Sequence, residues 1–138
     1  MTISCSKTDK LAEDINPAAS SGYSSSVVLK DAIHWIAVDP MKRKIGQATS
    51  SGSMLRLFDS RSILLLEKLD LTDPINIGDI LGYVNTDLSP LIIAHRLIRV
   101  NDGGKLVFRG DNNDSEDPPV KRDAVVWRVA GILYTDGK

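Results

Sequence analysis

From Pro40 onward the chain is cut into short apolar segments by closely spaced turn clusters, and that punctuation leaves little room for a long helix. The breaks fall at Asp73-Pro74, Asn76 to Gly78, Ser89-Pro90, Asp102-Gly103-Gly104 and Asp117-Pro118-Pro119. Between them the pattern predicts strands near 44–49, 62–67, 79–85, 91–100, 105–109 and 124–133. The two glycines after Asp102 mark a tight hairpin, because glycine takes the positive φ such turns need. The expected fold is therefore an all-β or mainly β domain, a small, curved, mostly antiparallel barrel or sandwich.

One helix precedes it. In VVLKDAIHWIAV, residues 27–38, Val28, Ala32, Trp35 and Ile36 recur at three- and four-residue spacings, and Pro40 stops the pattern. Residues 1–26 are rich in serine, alanine and polar residues and read as a flexible leader, so the expected division is a leader at 1–26 and one domain at 27–138. A chain of 138 residues, 42% hydrophobic, holds one such core and not two.

Composition excludes several classes. Seventeen basic against 18 acidic side chains leave a net charge of −1, so no overall field draws the chain to nucleic acid, and the basic cluster Lys42-Arg43-Lys44 is short. The lone Cys5 excludes an internal disulfide and offers no metal spacing, so neither a metal nor another cofactor is expected. No apolar run reaches the length of a membrane span and the N-terminus lacks a signal-peptide pattern, which predicts a cytoplasmic chain without a transmembrane anchor.

Within LIIAHRLIRV, residues 91–100, alternation puts His95 on one strand face with Leu91, Ile93 and Leu97. A neutral imidazole in such surroundings suits a general base. Ser53, beside Gly52 and ahead of an apolar strand, is a candidate for the hydroxyl it would deprotonate, and the acidic turn RGDNNDSED, residues 109–117, offers carboxylates to orient the ring. Each feature also has a structural explanation: a turn serine, a core histidine, a solvated acidic loop. His34 reads as a helix-surface residue, Lys105 as a solvated hairpin residue, and Trp35 and Trp127 as packing.

The order of segments is more specific. Gly52-Ser53-Met54, the apolar run 63–66, Gly78-Asp79-Ile80 with Tyr83, Ile93-Ala94-His95-Arg96, and Gly110-Asp111-Asn112-Asn113 with Asp117 behind it together resemble the type I signal peptidases and their LexA-like serine-peptidase relatives. Histidine at 95 makes the chain similar to the archaeal and endoplasmic-reticulum type, where the bacterial main type carries lysine. The resemblance implies Ser53 as nucleophile, His95 as base, and Asp117 or Asp111 as the third member, with Asp117 preferred. It further implies an oxyanion hole from the Ser53 amide with the Ser51 hydroxyl, and cleavage of a peptide or protein substrate after small residues. Two departures stand out: Arg56 occupies the position of a usual proline, and family members are membrane-anchored. They leave open a weakly active or inactive peptide-binding, regulatory module, and the leader leaves open a self-cleaving LexA-like regulator.

Overall fold

The strand pattern is realised in a computed structural model that describes residues 2–4 and 21–138. The elements are β1 (Thr2–Ser4), α1 (Ser25–Val38), β2 (Arg43–Ala48), β3 (Ile63–Lys68), β4 (Ile80–Tyr83), β5 (Ile92–Val100), β6 (Leu106–Arg109) and β7 (Val125–Leu133), with a 3₁₀ turn at Arg122–Ala124. All seven strands form one sheet in the order β1-β2-β3-β7-β4-β5-β6. Neighbours are antiparallel except β1, which pairs in parallel with β2 and also with β5.

The chain is thus mainly β with one N-terminal helix, as its pattern implies, though a 14-residue helix makes it less than all-β. The barrel or sandwich expectation needs correction in form. No second sheet packs on the first among the described residues, and only the three-residue β1 links β2 to β5. Most of the expected leader, Cys5 included, lies outside the described residues, whereas Thr2–Ser4 pair within the sheet.

The helix stops at Asp39 because a residue before proline is driven out of the helical region, and Asp39 has φ −151° and ψ 80°. It buries Val28 and Ala32 toward β2 and β3. Trp35 packs at the rim, with the Arg43 guanidinium 3.7 Å over its ring, while His34 and Lys105 are exposed as expected. None of the helices among the described residues is long and apolar enough to cross a membrane.

Two apolar clusters support the site. One gathers Met54, Phe58, Leu64, Leu66, Ala94 and Trp127; the other gathers Leu81, Tyr83, Ile93, Leu97, Phe108 and Val125. Strand β5 supplies both, since Ile93, Ala94, His95 and Leu97 are all buried and successive side chains point to opposite faces. Leu91, expected on the buried face, is exposed just ahead of the strand.

Candidate active site

Ser53 lies in the turn between β2 and β3. The turn is held locally by Leu55 N–H to Gly52 O at 3.2 Å and Phe58 N–H to Met54 O at 3.1 Å, and Met54 and Phe58 anchor it in the core. His95 lies on β5 opposite Leu81 of β4. Asp117 lies beyond β6, where the chain doubles back: its N–H donates to Phe108 O at 2.7 Å, and Leu106 and Val120 exchange backbone bonds at 2.8 and 2.9 Å. The sequence between His95 and Asp117 is therefore a hairpin plus a return loop that brings the carboxylate beneath the ring.

The three side chains form one buried line. His95 Nε2 is 3.1 Å from Ser53 Oγ, and His95 Nδ1 is 2.5 Å from Asp117 Oδ2. A carboxylate only accepts, so Nδ1–H donates to Asp117, and in the neutral ring Nε2 is left to accept the Ser53 proton. Ser53 and His95 are both fully buried and Asp117 is 8% exposed. Ser51 Oγ stands 3.4 Å from Ser53 Oγ and 3.5 Å from Ser53 N, alongside the hydroxyl.

Asp111 is placed elsewhere. Its carboxylate takes a two-pronged bond from Arg96 at 2.8 and 2.7 Å, turning away from the imidazole. Arg99 pairs likewise with Glu116, whose carboxyl it holds below the ordinary range. Arg96 alternates away from His95 on β5, a register shift between Leu97 and Arg99 interrupts the alternation before Arg99, and both arginines pin the return loop; exposed pairs of this kind add little stability themselves.

Tyr83 completes the line and was legible only as part of a family-like segment. Its O–H donates to Asp117 Oδ2 at 2.6 Å, and its ring stacks on Phe108 with centroids 4.5 Å apart. Burial, and then the bond to Asp117 and its charge, push the phenol well above its ordinary value, so it stays a donor. The pattern signal was available: Leu81 and Tyr83 alternate on the face that receives His95.

The turn around Gly110 grips the serine turn from the other side. Asn112 N–H donates to Ser53 O at 2.8 Å, Asn112 Nδ2 to Gly52 O at 3.0 Å, and Asp111 N–H contacts Met54 Sδ at 3.3 Å. A Cβ on Gly110 would come within 2.7 Å of Ser53 O, so only glycine permits this approach. Arg56 sits at φ +68°, a backbone conformation that proline cannot adopt. Among the described residues no three His, Cys, Asp or Glu side chains gather as a metal site requires.

Fold and geometry define a mainly β protein with a triad-like Ser-His-Asp site of the serine-hydrolase kind. The chain is similar to the signal peptidase complex catalytic subunit of Chaetomium globosum, 37% identical over an alignment 94 residues long that covers 60% of this chain and 54% of that protein. It spans about half the length of that curated relative, and the likeness relates it to the signal peptidases in general. No protein-family model matches the chain, and no solved structure matches it.

Proposed function

We propose that the chain is a serine endopeptidase domain of signal-peptidase type, with Ser53 as nucleophile, His95 as general base and Asp117 orienting the imidazole. The observation that carries this reading is the continuous Ser53–His95–Asp117 line at 3.1 and 2.5 Å. As Ser53 Oγ attacks a peptide carbonyl, its proton passes to His95 Nε2. The imidazolium, held by Asp117, then donates that proton to the leaving amine. Water repeats the sequence on the acyl-enzyme. The Ser53 N–H and the Ser51 hydroxyl receive the oxyanion, and one such donor is worth about 3 kcal/mol of barrier. By analogy with the signal peptidases, the substrate is a peptide with small side chains at the first and third acyl-side positions.

The test is mass-spectrometric mapping of cuts in a diverse peptide pool by wild type, Ser53→Ala and His95→Ala. Cuts after small residues that disappear in both variants are expected; unchanged cuts refute the assignment. A second reading, a peptide-binding module with little turnover, draws on one observation, the full burial of Ser53. Substrate must displace whatever covers that hydroxyl. Peptides retained by Ser53→Ala and wild type alike, with no product, favour this reading.

A further inference from the structure

The residue that orients the Ser53 N–H is not a neighbour in sequence. Ser53 is flanked by two peptide groups, and both of their carbonyl oxygens are held by Asn112, one through its backbone N–H at 2.8 Å and one through Nδ2 at 3.0 Å. The Gly52–Ser53 peptide is trans and planar, so its C=O and N–H point in opposite directions. Fixing Gly52 O from the Asn112 side therefore aims the Ser53 N–H the other way. There, among the described residues, it meets only the Ser51 hydroxyl at 3.5 Å, at the limit of a hydrogen bond. A buried amide kept almost unspent is what a preorganised anion donor looks like before its ligand arrives.

We infer that Asn112 is a positioning residue: its side-chain amide locks the Gly52–Ser53 peptide so that the Ser53 N–H faces the developing oxyanion. The inference rests on the serine-peptidase reading and adds to it a second-site device that touches no reacting atom. The Leu55 N–H shares Gly52 O at 3.2 Å but belongs to the same turn, so it moves with the peptide and cannot hold it against the rest of the protein. Asn112 can, because its loop is tied to β5 through the Arg96–Asp111 pair and to β6 through the Asp117 N–H.

Asn112→Ala and Asn112→Asp both keep the backbone bond to Ser53 O and delete the Nδ2–H donor; the carboxylate also opposes Gly52 O. A quenched fluorogenic peptide taken from the wild-type cut sites gives kcat and KM separately, and thermal unfolding reports the fold. The expected result is a fall in kcat of about 10- to 100-fold, below the loss for outright removal of a donor, with KM unchanged and the protein folded at assay temperature. The Ser53 amide resonance in ¹⁵N spectra should shift in both variants. A kcat within twofold of wild type overturns the inference while leaving the peptidase reading intact. Absence of any Ser53-dependent cut by wild type overturns both.

Discussion

Replacing Tyr83 with phenylalanine isolates one bond of the site. The ring remains, and with it the stack on Phe108, so the change removes only the O–H that donates to Asp117 Oδ2 at 2.6 Å. Tyr83 is fully buried and Asp117 nearly so, which leaves no water to take the donor's place. A hydrogen bond to a charged acceptor contributes roughly 1.5–3 kcal/mol, and a bond so enclosed belongs inside that range. For a chain of this size a loss near the middle corresponds to a fall in Tm of roughly 5–10 °C. The sign of the pH dependence follows from the phenol's raised pKa. A group raised in the folded state contributes fully below its unfolded value, near 10 for tyrosine, and its contribution fades as pH climbs above that. Chemical denaturation at pH 7 and 9 should therefore give the same wild-type advantage, and a series above pH 10 should show it shrinking. An advantage under 0.5 kcal/mol at pH 7 refutes the reasoning, as does one that stays constant above pH 10.

Asp117→Asn should lower turnover by about 10⁴-fold, since the amide no longer enforces the Nδ1–H tautomer, whereas Asp111→Asn should change it only a few-fold because that carboxylate serves Arg96; steady-state assays on the same peptide decide it. Gly110→Ala should destabilise by about 1–3 kcal/mol in urea unfolding, and moving Ser53 O from 2.7 Å out to ordinary contact at 3.4 Å should also reduce kcat by about tenfold or more. Arg56→Gly should leave stability unchanged or raise it by up to about 1 kcal/mol, while Arg56→Pro should destabilise by more than that, because φ +68° suits glycine and excludes proline. Unfolding midpoints of the two variants that fall in the opposite order would rule this out.

Much of this architecture is written in local pattern. Apolar runs between turn clusters locate β2 to β7, and the helix spacing around Val28 and Ala32 fixes α1 to within two residues at its start. Alternation along β5 correctly buries His95 with Ile93 and Leu97. Strand β1 escaped because three residues, with the buried Ile3 set between polar neighbours in sequence, are too few to show an alternation. Choosing between Asp111 and Asp117 depended on where the return loop doubles back on β6, a matter of main-chain bonds to Phe108 and Leu106 that no spacing encodes. The grip of Asn112 on Gly52 and Ser53 was hidden for the same reason, and so was the complete burial of Ser53.

The central place of β7 has a consequence for how the site is held together. Because it lies between β3 and β4, the sheet without residues 125–133 falls into two half-sheets whose strand pairing runs only through the short β1. One half carries Ser53 and the other carries His95 and Asp117. Strand β7 therefore works with the Asn112 bonds to hold Ser53 in register with His95 and Asp117, and a chain whose β7 loses its pairing with β3 and β4 should lose the alignment of the three side chains as well.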